Sequence, residues 1–314
     1  IVHPLEIRHD TSPLSLKTDR DFYDRVFGAV NFAAKSTAGD ILVFLPGVGE
    51  ISRASERLGG LGRVIVPLHG SLSLNEQRAA LAPPKSPRIV LATNVAEASV
   101  TVQGVDYVVD TGVAKVMDMN LNSGFSSLEL RRISLFNARQ RSGRAARQKS
   151  GVCLRLWTSH EETTQALEMP PECQRSDLSQ ALLMLAHFGV SDFGGFAWLD
   201  QPPPRVLDMA IRLLRGLGAL DSQTRMTELG RRLIGFPLPP RLASLVVKAD
   251  EFGWGETGAY IASIANERDF AEGEATTQYE CDISYRLEVL EEVERGSRPS
   301  GISLRGAQTV LESA

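Results

Sequence analysis

The chain has 314 residues, 43% of them hydrophobic and 23% charged, enough to bury a sizeable core and to divide into two or three domains. No apolar run approaches the roughly 18 residues that a membrane-spanning helix requires, and no basic segment leads into an apolar one at the N-terminus, so a membrane or secretory role is not expected. The three cysteines, Cys153, Cys173 and Cys281, are odd in number and irregularly spaced, which supports neither a disulfide framework nor a zinc site and fits a reducing cytoplasm. A net charge of −4 argues against coating of a polyanion by the whole surface and leaves a local basic patch as the place to look.

Short apolar runs rich in branched residues alternate with helical patterns between Asp40 and Leu156, the mark of a parallel sheet with crossover helices. Candidate strands are ILVFL at 41–45, RVIVP at 63–67, RIVLA at 88–92, YVVD at 107–110 and VCLRL at 152–156, with helices filling the gaps. The stretch 113–135 breaks the rhythm. With NLNSG at 120–124 as its turn, it reads as an inserted antiparallel hairpin.

The texture changes after Trp157. Helical patterns at 178–188 and 206–217 precede RMTELG at 225–230, read as a short strand pair, which gives the helix, helix, wing order of winged-helix modules. A proline cluster at 237–240 closes that part, and the rest is helical. The boundaries read from these shifts are 1–168, 169–240 and 241–314.

The strongest chemical signal is QRSGRAAR at 140–147, whose arginines stand three residues apart on a pattern read as helix, so Arg144 and Arg147 are expected to face one way. From Arg131 to Arg155 there are eight Lys or Arg residues and no acid, too lopsided for an ordinary solvated face. Guanidinium groups are permanently charged planar forks that match phosphate oxygens, and they suit a triphosphate whose charge grows as its terminal phosphoryl group departs. A basic helix paired with acids elsewhere is the alternative. Thr93 and Asn94 follow a buried strand, where parallel sheets present loops to ligands; both are also common helix-capping residues. Gly47 and Gly49 fit a turn better than a phosphate loop.

These residues resemble the DEAH/RHA group of superfamily 2 helicases. QRSGRAAR is similar to motif VI, QRxGRAGR, departing only where Ala146 stands for glycine, while ATNVAEASVT at 92–101 and DYVVDTG at 106–112 are similar to motif V and the strand after it. The segment 41–51 resembles motif IV. CQRSDL at 173–178, WLDQPP at 198–203, LRGLGAL at 214–220 and TELG at 227–230 look like the family's winged helix, and 267–269 and 282–287 look like its helical domain.

The resemblance implies an α/β RecA-like parallel-sheet domain of P-loop NTPase type, namely the second motor lobe, followed by a winged-helix domain and a mostly helical domain. It implies ATP with Mg2+ as the nucleotide and metal, and single-stranded RNA as the partner, with DNA as an alternative. Gln140, Arg144 and Arg147 would be catalytic, joined at the nucleotide by Ser99 and Thr101, while Thr93 and Asn94 would touch nucleic acid. Gln103 stands where many relatives carry an acid on the nucleotide ribose, and Leu81 where some carry an adenine-stacking aromatic. No Gly-Lys dipeptide occurs, hence no Walker A loop, so the expectation is a chain that works against a first RecA-like lobe of the same parent and does not hydrolyse ATP alone. A cytoplasmic monomer is expected. The competing reading is a non-enzymatic winged-helix nucleic-acid-binding protein.

Overall fold

A computed structural model of the chain describes residues 3–97, 101–119, 126–267, 269–271 and 281–314. They divide into two compact units, the first over Ile1–Asp118 and Ser126–Pro171 and the second from Glu172 onward.

The first unit is built on six parallel strands: β1 (Leu5–His9), β2 (Asp40–Phe44), β3 (Val64–Leu68), β4 (Arg88–Ala92), β5 (Val105–Asp110) and β8 (Gly151–Arg155). Their order across the sheet is β1-β8-β5-β2-β4-β3. The near-continuous apolarity of β2 and β4 has a simple cause, since alternate residues supply opposite faces and both faces are covered. Ile41, Val43, Ile89, Leu91 and Val109 pack with α1 (Arg20–Ser36) and α2 (Val48–Leu58), whereas Leu42, Phe44, Val90, Ala92 and Val108 pack with Ala80 of α3 (Leu74–Leu81) and with Ala145. Gly47 is the N-cap of α2, in keeping with a turn role. Leu81 packs against the second of these cores.

Three expectations need correction. An additional strand, β1, pairs with β8 in parallel register from Leu5 opposite Gly151 to His9 opposite Arg155. The crossover from β4 to β5 carries, among the described residues, only a three-residue 3-10 turn, Asn94–Ala96, rather than a helix. In the second unit the segment read as a strand pair makes one bridge, Leu220 with Met226, and then enters α8 (Glu228–Leu233), because Thr227 caps that helix by accepting from Gly230 N at 3.0 Å. The inserted segment does form a two-stranded sheet of β6 (Val113–Met119) and β7 (Ser126–Arg132), while the expected turn at 120–124 lies outside the described residues.

In the second unit α6 (Ser179–His187), α7 (Pro204–Gly216), α8 and α9 (Pro240–Glu251) enclose one core that includes Leu182, Phe193, Leu214 and Leu233. A further core around Phe270, Tyr285, Leu290 and Val310 is built from α11 (Asp282–Glu294) and α12 (Leu304–Ser313), with Tyr260 and Ile264 of α10 (Gly255–Asn266) against it.

Candidate nucleotide and nucleic-acid site

The basic segment begins in α4 (Leu135–Ser142), started by a capping box in which Ser134 Oγ accepts from Asn137 N at 3.2 Å and the Asn137 side chain accepts from Ser134 N. The helix does not continue through Arg147. It ends at Gly143, whose N–H reaches Arg139 O at 3.0 Å, and the next bonds are turn-like: Arg144 N to Arg141 O and Ala145 N to Ser142 O, both 3.1 Å. Arg144 and Arg147 therefore do not share a helix face. In the turn that follows, the Ala145 carbonyl lies against Gly151 at the start of β8, where a side chain on residue 151 would collide with it.

Both arginines nonetheless converge on one segment, 97–101. Arg144, buried, donates through Nη2 to the carbonyl oxygen of Glu97, and Arg147, exposed, donates through Nη1 to Thr101 Oγ1 at 2.6 Å. Burial, with the neighbouring Arg147 charge, holds the Arg144 guanidinium below its ordinary value, against the opposing pull of Glu97. Gln140 is half-buried near the end of α4. Ala146 adopts no left-handed backbone, Thr224 being the one described non-glycine residue with positive φ, so the alanine is accommodated without backbone strain.

Thr93 closes β4 by donating its N–H to Leu68 O at 3.2 Å, and its side chain makes no capping bond to the turn that follows. The capping alternative for Thr93 thus finds no support, and Asn94 beside it is exposed. Ser99 lies outside the described residues. Gln103 offers its carbonyl to Arg88 Nη2 at 3.3 Å, and Gly104 N donates to Gln148 Oε1 at 3.1 Å, fastening the far end of the same segment.

Sequence reasoning missed the residue at the centre of this region. Arg141, 1% exposed, donates Nε to Glu97 Oε2 and Nη1 to Asp110 Oδ1, both at 2.9 Å, with its guanidinium 4.9 Å from the Phe44 ring centre. Burial alone would lower its pKa, but the charges of Asp110 and Glu97 outweigh that and raise it. The remaining Glu97 oxygen accepts from Asn137 Nδ2. The DTG triplet follows the same logic: Asp110 holds Arg141, Thr111 Oγ1 donates to Phe44 O at 2.7 Å, and Gly112 takes a positive φ of 75° where a Cβ would meet Trp157. The signal was present, since an acid at the end of an apolar strand must find a cation.

This arrangement, a parallel-sheet lobe whose motif V and motif VI segments are bonded to one another, is that of a helicase C-terminal lobe. The model of the helicase conserved C-terminal domain matches residues 24–149, and that of the helicase associated domain (HA2), winged-helix, matches residues 210–238. The chain belongs to the DEAH/RHA helicase family, of which it carries the C-terminal motor domain and the winged helix that follows. It is 38% identical over 269 residues to the ATP-dependent RNA helicase HrpB of Escherichia coli (strain K12), covering 84% of this chain and 33% of that protein. Against the ATP-dependent RNA helicase HrpA of the same bacterium the identity is 33% over 295 residues, 90% of this chain and 22% of that one. The crystal structure of the Escherichia coli DEAH/RHA helicase HrpB superposes with a TM-score of 0.79 at 33% identity, over 99% of this chain and 38% of that chain. The chain thus spans about a third of the length of HrpB.

Proposed function

We propose that the chain is the second motor lobe, with its accessory domains, of an ATP-dependent RNA helicase that couples ATP hydrolysis in an interlobe cleft to movement along single-stranded RNA. The observation that carries this is the bonding of Arg144 and Arg147 to Glu97 and Thr101, which joins the arginine turn directly to the segment that follows Thr93 and Asn94. Thr93 and Asn94 hold the RNA backbone. Ser99 and Thr101, with Gln140, Arg144 and Arg147, face the nucleotide.

In the hydrolytic step water attacks the γ-phosphorus in line, the bond to the bridging oxygen breaks, and negative charge spreads over the γ-phosphoryl oxygens and the departing diphosphate. A guanidinium has five N–H donors in a planar fork, so bonds to the protein and to phosphate oxygens coexist on one side chain. Arg144 and Arg147 stabilise the developing charge and Gln140 orients the water or the γ-phosphate. Among the described residues no group of three or more His, Cys, Asp or Glu side chains could hold a metal ion, and on this proposal the protein ligands of Mg2+ lie in the first lobe of the same parent. The chain alone does not turn over ATP.

Among the described residues no helix is long and apolar enough to cross a membrane. On this proposal the protein works in the cytoplasm as a monomer. A winged-helix regulator reading duplex DNA is disfavoured by α7, where Arg215 spends Nη2 on Ser222 O at 2.8 Å and Nε on Asp221 O at 3.3 Å rather than presenting them to a groove. The test is ATP turnover by the full-length protein with single-stranded RNA, single-stranded DNA or neither. RNA stimulation is expected; stimulation by DNA alone makes it a DNA motor, and no ATP turnover under any condition contradicts the proposal.

A further inference from the structure

Arg141 stands three residues before Arg144 yet is turned into the protein, where it bonds two acids distant in sequence: Glu97, which ends the 3-10 turn after β4, and Asp110, which ends β5. Its Nη1 also reaches Val113 O at 3.3 Å, so one guanidinium fastens α4 to the segments beyond β4 and β5. Asp110 is fully buried, and its Oδ2 has no hydrogen-bond partner among the described residues, which leaves Arg141 as the chief compensation for its charge.

Glu97 is held in two ways. Its carboxylate is gripped by Arg141 and Asn137, both on α4, while its main-chain oxygen receives the Arg144 guanidinium. The place of Arg144 is thus set through Glu97, and that of Glu97 through Arg141. We infer that Arg141 is a positioning residue for ATP hydrolysis, holding Glu97 so that the Arg144 guanidinium stands where the γ-phosphoryl group reacts. This rests on the reading of Arg144 as a phosphate-facing arginine. The clamp touches neither nucleotide nor RNA; it acts on turnover through geometry, and a small displacement of a catalytic group suffices to slow a reaction severely.

The test uses the full-length protein and its Glu97→Gln, Arg141→Lys and Arg144→Ala variants. Glu97→Gln keeps the size of the side chain and an acceptor for Arg141 but removes the charge that fixes it; Arg141→Lys keeps the charge but cannot span both carboxylates. Single-turnover hydrolysis with saturating RNA, per folded molecule and well below the melting temperature, is measured beside affinity for a non-hydrolysable ATP analogue. In both clamp variants turnover is expected to fall roughly tenfold to a hundredfold, with analogue affinity within about threefold of the parent. Turnover within about twofold of the parent in both, with Arg144→Ala inactive, overturns the positioning role and leaves the clamp structural. Failure of both variants to fold likewise assigns the clamp to stability alone. An active Arg144→Ala variant shows instead that the underlying reading of Arg144 is wrong.

Discussion

A Cβ on Gly151 would stand 2.2 Å from the carbonyl oxygen of Ala145, so the first residue of β8 is pressed directly against the arginine turn. Gly151 also donates its N–H to Pro4 O at 3.0 Å, which ties the start of β8 to the residue before β1. Gly151→Ala is expected to cost about 1–3 kcal/mol by overpacking and to lower ATP turnover by displacing Arg144 and Arg147. Gly28→Ala, in α1 with open space around it, is expected to stabilise by about 0.5–1 kcal/mol. Chemical denaturation of the two variants checks the contrast. An unchanged midpoint for Gly151→Ala would show that the turn yields easily.

Thr93 has little packing to lose, being half-buried and without a capping bond. Thr93→Ala in the full-length protein is therefore expected to shift the melting temperature by less than about 2 °C, as for a surface change within ±0.5 kcal/mol, while lowering RNA stimulation of ATP turnover. Wild-type stimulation together with a melting point several degrees lower would make Thr93 a structural residue.

Much of the fold was legible because β2 and β4 are buried on both faces and write that into the sequence as unbroken apolar runs; β4 matches RIVLA at 88–92 residue for residue. β1 was not legible. It lies at the sheet edge, and its LEIRH alternates Leu5 and Ile7 with the Glu6–Arg8 pair over only five residues, so it lacks the unbroken apolar run that marks the central strands. The end of α4 carried one local signal, Gly143 just past its last residue, whereas the tight contact of Ala145 with Gly151 in the turn beyond is made across the fold and no local pattern announces it. Arg144 and Arg147 stood out by spacing, and both do meet the 97–101 segment. Arg141 sat in the same run without distinction, because its partners Glu97 and Asp110 lie 44 and 31 residues away.

Glu162 accepts from His9 Nε2 at 2.6 Å and from Arg155 Nη1 at 2.5 Å, joining β1 to β8 through the short helix that follows. Burial, the largest single influence, pushes its pKa up, but the bonds and charges of His9 and Arg155 prevail and hold it below the ordinary 4.5. A depressed carboxylate contributes stability above its unfolded pKa and loses it as pH falls through the folded value. The stability difference between the chain and Glu162→Gln is therefore expected in full at about pH 7 and to shrink below roughly pH 4.5. Urea unfolding at both pH values measures it, and a difference that grows on acidification would contradict the assignment.

On the proposed function the isolated chain supplies only one side of an RNA channel, so its binding to single-stranded RNA is expected to be weak and to weaken with salt. Each phosphate contact contributes a slope of roughly 0.7 in log affinity against log salt. Fluorescence anisotropy with a labelled oligonucleotide across a salt series reads that slope. Salt-independent, sequence-specific binding to duplex DNA would favour the regulator instead.

The most direct measurement is single-turnover ATP hydrolysis by the full-length protein at saturating RNA, comparing Arg144 and Arg147 with alanine and lysine at each position. A guanidinium acting on the transition state is worth about 10³ to 10⁵ in rate in related phosphoryl transfer, so losses of that order are expected for alanine. Most of the loss should persist with lysine, which keeps the charge but not the planar fork, while nucleotide affinity and melting temperature change much less. Near-parental turnover in both Arg144→Ala and Arg147→Ala would contradict the central claim and leave the basic turn as a structural or RNA-facing surface.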